Sequence, residues 1–197
     1  NSAQQQAIRL AESKEVSLIW GPPGTGKTHT LAQVIYRAFL RDETVLVLST
    51  SNVAIDKVLL YLDGFIYSDE RQHIARLGYS DNEVCNGYIQ QTQDLDKASI
   101  IFSTFATAVL KFDALYNNRF DMVVVDEASM VSMPYVYVAA SFTARNVVFS
   151  GDFRQLPPIS LVDGSVMAES IFDHLNIPEA VDQGRPVPYM ALLDTQY

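Results

Sequence analysis

Eight consecutive residues carry the plainest chemistry in the chain. Gly21-Pro22-Pro23-Gly24-Thr25-Gly26-Lys27-Thr28 fits the spacing G-x-x-x-x-G-K-[ST] in full. Glycines let backbone N–H groups converge on phosphate oxygens without side-chain clash. A helix beginning at Lys27 adds the positive end of its dipole. Lys27 is suited to neutralise β- and γ-phosphates, and the Thr28 hydroxyl to ligate Mg²⁺. Taken alone, the run specifies a nucleoside triphosphate and nothing narrower.

Two further runs supply groups that such a site needs. Met122-Val-Val-Val-Asp126-Glu127-Ala128-Ser129 is an apolar stretch ending in two acids. In a doubly wound sheet that end lies at the carboxyl edge, beside the phosphate loop. Asp126 is placed to hold Mg²⁺ through water, and Glu127 to orient and deprotonate an attacking water. The plainer alternative is a helix start where the dipole favours acids. Ser150-Gly151-Asp152-Phe153-Arg154-Gln155-Leu156-Pro157-Pro158 follows another apolar stretch. Gln155 is a neutral amide placed to read a γ-phosphate. Arg154 is a candidate partner for phosphate or for Asp152.

Bringing these groups together requires strands that end on one edge. Val16–Trp20, 44–48, 74–77, 99–103, 122–125 and 146–149 are short apolar runs that predict strands. Helices are predicted over 3–12, capped by Ser2, then 27–40, 52–62, Phe105–Leu110 and around 135–140. Leu31, Val34, Ile35 and Ala38 share one face of the second helix. Val53, Val58, Leu59 and Leu62 are spaced for burial on the third. The alternation predicts an α/β P-loop NTPase fold, with a RecA-like, mostly parallel sheet and helices on both faces. Residues 63–98 are polar and acidic and suggest a short insertion containing one strand. Pro178, Pro186 and Pro188 predict an irregular tail over 178–197, like a connection leaving a domain.

Composition bounds the reading. The chain has 197 residues, 48% hydrophobic and 19% charged, which suits one lobe with a sizeable core. No run approaches the roughly 18 apolar residues of a membrane span, so no membrane partner is expected. No basic-then-apolar leader opens the chain, and a cytoplasmic, reducing setting is the expectation. The missing initiator methionine suggests a trimmed chain. Cys85 is the single cysteine and cannot form an internal disulfide. The formal charge of −9 argues against a purely electrostatic nucleic-acid binder. Residues 1–62 hold six basic and five acidic side chains, whereas 63–98 hold three against seven and 99–197 five against eleven. Only the first third does not strongly repel a phosphate backbone.

The three runs, in this order, resemble motifs I, II and III of superfamily 1 helicases. The wording most resembles the branch containing the nonsense-mediated-decay RNA helicase and its DNA relatives. The resemblance spans nearly the whole chain and implies ATP with Mg²⁺ in the site. Lys27, Glu127 and Gln155 would then act in catalysis, and Thr28 and Asp126 would hold the metal. Nucleotide contacts would come from Gly21 through Thr28 and from His29. Asn1-Ser-Ala-Gln4 resembles the motif whose glutamine hydrogen-bonds the adenine edge, with Gln4 in register and a polar helix face as the alternative. Leu48-Ser-Thr-Ser51-Asn52-Val53-Ala54-Ile55-Asp56 resembles motif Ia, so Ser51 and Asn52 would contact single-stranded DNA or RNA. Thr50 stands where the family commonly has proline. Both residues can also cap the next helix. Ser103-Thr104 resembles a further strand-contacting motif, and Thr104 is equally a simple cap.

Leu192-Leu-Asp-Thr-Gln196-Tyr197 resembles the start of a motif whose tyrosine stacks on adenine. The chain stops one residue before the family's arginine. A C-terminal RecA-like lobe of the same polypeptide is therefore the expected partner. The lobe alone is expected to bind Mg-nucleotide weakly, hydrolyse it poorly and unwind nothing. A small-molecule phosphotransferase is one rival, and an ATP-gated nucleic-acid-binding or scaffold lobe without significant hydrolysis is another. Ordinary surface or helix roles are favoured for His29, His73 and His174. Core packing is favoured for Trp20, Phe105 and Phe153.

Overall fold

The computed structural model describes residues 1–89, 92–159 and 164–196. Among the described residues, seven strands form one sheet in the order β3-β4-β2-β5-β6-β1-β7. They are β1 (Val16–Trp20), β2 (Val45–Ser49), β3 (Ile74–Arg76), β4 (Ile100–Thr104), β5 (Phe120–Val125), β6 (Thr143–Gly151) and β7 (Met190–Leu192). Every ladder between them is parallel. All carboxyl ends therefore share one edge.

The strands read as continuous apolar runs because both faces of the sheet are covered. Side chains of a strand alternate between faces. Val45 and Val47 of β2 face one core, together with Ile19, Ile100, Phe102, Val124 and Val148. Leu46 and Leu48 face a second core, with Leu18, Ile101, Val123, Val125 and Phe149. Helices α1 (Ser2–Ser13), α2 (Lys27–Phe39) and α3 (Asn52–Asp63) cover the first face. The second face is covered by α5 (Phe105–Leu110), α6 (Phe112–Tyr116), α7 (Met133–Ser141), α8 (Ile171–His174) and α9 (Ile177–Asp182). The short α4 (Glu83–Asn86) precedes them in the chain and puts Cys85 into the first core.

Several local expectations change. Asn1, not Ser2, caps α1, because its side chain accepts from Gln4 N while the Gln4 side chain closes the reciprocal bond. Val53 is 78% exposed, and Ile55 takes the buried position in the first turns of α3. The tail is more regular than its prolines suggest. Pro178 sits in the first turn of α9, where its missing N–H costs nothing. Beyond Pro188, β7 pairs with β1 in the register Leu18↔Met190. The 63–98 stretch is acidic in composition yet supplies the edge strand β3, and Leu77, Tyr88 and Leu95 are buried.

Candidate functional site

The phosphate loop joins β1 to α2. Gly24 and Gly26 lie at φ +80° and +82°, a region open to glycine at little cost. Gly26 caps α2 without any side-chain hydrogen bond, so the first-turn N–H groups stay free for an anion. Lys27 Nζ donates to the carbonyls of Gly21 (2.6 Å) and Pro22 (3.3 Å). Thr25 Oγ1 donates to Pro22 O at 2.8 Å and braces the turn. Gly21 is enclosed: an added Cβ would stand 2.8 Å from Leu193 O and 3.0 Å from Leu193 Cβ. The residues after β7 thus lie directly against the loop, and Gln196 Nε2 donates to Pro23 O at 3.1 Å.

The two acids follow β5. Asp126 is buried, its backbone N–H continuing the ladder to Leu48 O at 2.9 Å. Burial first, then the neighbouring Glu127 charge, push its carboxyl up to about 6. Lys27 and the Ser150 hydroxyl act in the opposite sense. Glu127 is held at φ 54°, ψ 38°, the left-handed region, which costs a non-glycine residue about 1 kcal/mol. That turn is wedged by the end of β6. A Cβ on Gly151 would lie 2.9 Å from Ser129 N and 3.2 Å from Ala128 N.

The loop after β6 is organised by Asp152, which the sequence suggested only as a partner for the Arg154 side chain. Its carboxylate accepts from Trp20 Nε1 (3.1 Å), Arg154 N (3.1 Å) and Gln155 Nε2 (2.8 Å). Burial raises its pKa, but these donors and the Lys27 charge outweigh burial and leave it below the usual value. Arg154 turns away from the loop. Its guanidinium lies over the Trp20 ring at 5.2 Å and pairs with exposed Asp182. Phe153 packs on Trp20 and Phe172, as core packing requires.

These pieces meet in one cavity of about 630 Å³. Its walls include Pro23, Gly24, Gly26, Lys27, Thr28 and His29 from the loop and α2. Asp126, Glu127 and Gln155 come from the ends of β5 and β6. Gln4 joins from α1 and is 9% exposed, whereas Gln5 and Gln6 face solvent. Gly21, Pro22 and Thr25 brace the loop from behind and do not line the cavity. Lys57 and Tyr61 of α3 do line it, and sequence reasoning missed both. Their spacing of four on the helix after Asn52 was the available signal. Tyr197 lies outside the described residues.

The strand-contact candidates occupy neighbouring strand ends instead. Ser49 of β2 is in register with Thr104 of β4. Ser51 Oγ caps α3 by accepting from Ala54 N at 3.2 Å. Thr104 Oγ1 caps α5 by accepting from Thr107 N at 3.3 Å. Asn52 is held from β3: Arg76 Nη2 donates to its Oδ1 at 2.8 Å. Arg76 is completely buried, and its Nε donates to Asp56 Oδ1 at 2.9 Å. Ser80 Oγ donates to the other Asp56 oxygen at 2.7 Å.

The donors present fit a magnesium ion. Among the described residues no group of three or more His, Cys, Asp or Glu side chains could hold a metal. One buried carboxylate and one hydroxyl beside a phosphate loop suit Mg²⁺, which takes few protein ligands and completes its shell with phosphate and water. Among the described residues no helix is long and apolar enough to cross a membrane.

Residues 1–179 match a family model described as AAA domain. The human DNA replication ATP-dependent helicase/nuclease DNA2 is 31% identical over 189 residues, covering 89% of this chain and 18% of that protein. The Schizosaccharomyces pombe ATP-dependent helicase upf1 is 26% identical over 90% of this chain and 24% of its own length. The chain thus spans less than a quarter of either relative. In structure it is similar to the Pyrococcus furiosus Hef helicase domain, with TM-score 0.61, 14% identity and 97% of this chain against 37% of that one. The fold is thus α/β P-loop NTPase with a RecA-like parallel sheet, ATP-dependent helicases are among the relatives, and the chain belongs to the AAA domain family.

Proposed function

We propose that this chain is the N-terminal ATP-binding lobe of a superfamily 1 helicase, coupling Mg-ATP hydrolysis to movement on single-stranded nucleic acid. The observation that carries the proposal is the single cavity shared by Lys27, Thr28, Asp126, Glu127 and Gln155. Three strand ends supply these five side chains, and each has a separate task on a triphosphate.

Free N–H groups at the start of α2 hold the phosphates, and Lys27 exchanges its loop carbonyls for phosphate oxygens. Thr28 and Asp126 would hold Mg²⁺, which would supply positive charge to the phosphates. Glu127 accepts a proton from the attacking water. Gln155 keeps one amide N–H on Asp152 and offers the second to the γ-phosphate. Gln4 reads the base edge. Ser51, Asn52 and Thr104, at the ends of β2 and β4, contact the strand. A C-terminal lobe of the same polypeptide supplies the arginine that completes hydrolysis, so this lobe alone binds nucleotide and turns over poorly. The residues after β7 lie against the phosphate loop, which makes them a natural route to that lobe.

Similarity to both a replication helicase/nuclease and upf1 supports the branch that holds the nonsense-mediated-decay helicase and its DNA relatives. The test is steady-state ATP hydrolysis by the complete natural protein, without polynucleotide and with single-stranded DNA or RNA at matched low salt. Strong stimulation is expected, and the preferred polymer separates the two kinds of relative. Unstimulated turnover with intact Mg-ATP binding would sink the motor reading in favour of a scaffold lobe.

A further inference from the structure

Helix α3 presents two faces of different character. Ile55, Val58, Leu59 and Leu62 are buried in the first core. Lys57 and Tyr61, four residues apart, share another face and line the nucleotide cavity. The ring of Tyr61 meets His29 edge-on at 5.9 Å, which places it beside the first turn of α2. α3 starts at the carboxyl edge of the sheet and runs away from it. Lys57 is one turn nearer that edge, by about 6 Å along the axis. Both therefore stand on the α3 wall of the cavity, Tyr61 beside the first turn of α2 and Lys57 one turn nearer the sheet's carboxyl edge.

The charge of Lys57 is uncommitted. It is exposed, and among the described residues it makes no ion pair. Arg37, Arg41, Arg76 and Arg145 are all tied to carboxylates. The cation that bears on Asp126 is Lys27. Lys57 thus reaches the cavity from α3, a wall separate from the strand ends that carry the acids. The same helix begins with Asn52, which Arg76 holds in place. Asn52 and Lys57 are separated by five residues, or about 7.5 Å of rigid helix.

We propose that Lys57 is a second phosphate-binding cation, contacting the terminal phosphates of a nucleoside triphosphate and thereby tying nucleotide state to the Ser51–Asn52 segment through α3. The proposal deepens the ATP-site reading and rests on it. Lys27 holds the phosphates from the loop side, and Lys57 closes on them from the α3 side. When the terminal phosphate leaves, α3 loses its anchor in the cavity while keeping its cap at Ser51.

The experiment uses the complete protein, with Lys57→Gln, Lys57→Arg and Lys27→Ala. Affinities for a Mg-bound non-hydrolysable ATP analogue and for Mg-ADP are measured by calorimetry. Single-stranded DNA and RNA affinities are measured with and without the analogue. Lys57→Gln is expected to lose about tenfold in analogue affinity, the usual scale of one charge-assisted hydrogen bond, and distinctly less with ADP. The response of strand affinity to the analogue should shrink in parallel, and Lys57→Arg should restore both. Lys27→Ala should abolish tight binding of either nucleotide. If Lys27→Ala has its effect and Lys57→Gln binds both nucleotides like wild type, the inference fails and the site stands. If Lys57→Gln instead weakens strand binding equally with and without nucleotide, Lys57 is a strand contact and the inference is overturned. If Lys27→Ala binds nucleotide normally, the ATP-site reading itself falls.

Discussion

The two ends of the sheet's carboxyl edge treat their polar side chains in opposite ways. Around β1, β5 and β6, the groups facing the cavity are under-committed. The α2 cap has no side-chain bond, Lys27 rests on loop carbonyls, and Asp126 is a buried acid held above its usual pKa. Around β3 and the start of α3, the buried group of Arg76, Asp56 and Ser80 is paired throughout. Arg76 bonds Asp56, Asn52 and the carbonyls of Leu77 and Tyr79, while Ser80 completes Asp56. A cluster that leaves charges and N–H groups unsatisfied is arranged for a ligand to complete. A saturated buried network holds backbone in place, here the segment carrying Ser51 and Asn52.

The sharpest way to break this comparison is Glu127→Gln in the complete protein. Loss of a general base should lower kcat by about 10²–10⁴-fold while leaving Mg-nucleotide affinity nearly unchanged. Retained turnover would remove Glu127 from the chemistry and leave its strained backbone without that purpose.

Arg76→Met tests the other end. Stranding Asp56 without its partner should destabilise the lobe by about 3–5 kcal/mol in denaturant titration. Replacing both residues by apolar ones should recover much of that loss, since no charge is then left unpaired. A small effect of the single substitution would mean that the network is not saturated in solution.

Gly151→Ala should cost about 1–3 kcal/mol, because its Cβ meets the backbone of Ser129 and Ala128 and the buried Phe172 ring. Weakened Mg-ATP binding should accompany the loss of stability, since the same turn carries Asp126 and Glu127. Ser51→Ala is expected to cost about 1 kcal/mol as a lost helix cap. Strand affinity measured beside it separates a cap from a nucleic-acid contact.

The smallest effect concerns acid. Asp152 is lowered in the folded chain, so its stabilisation is present above the ordinary carboxylate pKa and fades as pH falls through the folded value. Wild-type stability should therefore drop on acidification below about pH 4. Asp152→Asn should flatten that part of the profile, and an unchanged profile would mean its hydrogen bonds do not outweigh its burial.

The phosphate loop and the acid pair were legible because each is contiguous in sequence and its chemistry constrains every position. The strands were legible for a related reason. Burial on both faces forces unbroken apolar runs such as Val45 to Leu48. Lys57 and Tyr61 offered only their spacing of four, and a lysine and a tyrosine so spaced on a helix usually mark a solvated face. Only the packing of α3 beside α2 turns them toward the cavity. Arg76 was hidden by its acidic surroundings, and its burial is intelligible only once Asp56 and Asn52 are seen across from it. The tail strand was hidden by Pro186 and Pro188, which read as irregular structure although β7 lies at the edge of the sheet.

The sequence by itself determined the fold class and pointed to a phosphate-bearing ligand. Phosphate recognition needs glycines, a lysine and a hydroxyl at fixed short spacing, and a two-faced parallel sheet needs apolar strands separated by helices. Tertiary structure alone decided which strand ends meet, that Asp152 joins Trp20, that Arg76 holds Asn52, and that Lys57 faces the cavity. Those contacts join residues far apart in the chain, and their geometry exists only when the strands have taken their order in the sheet.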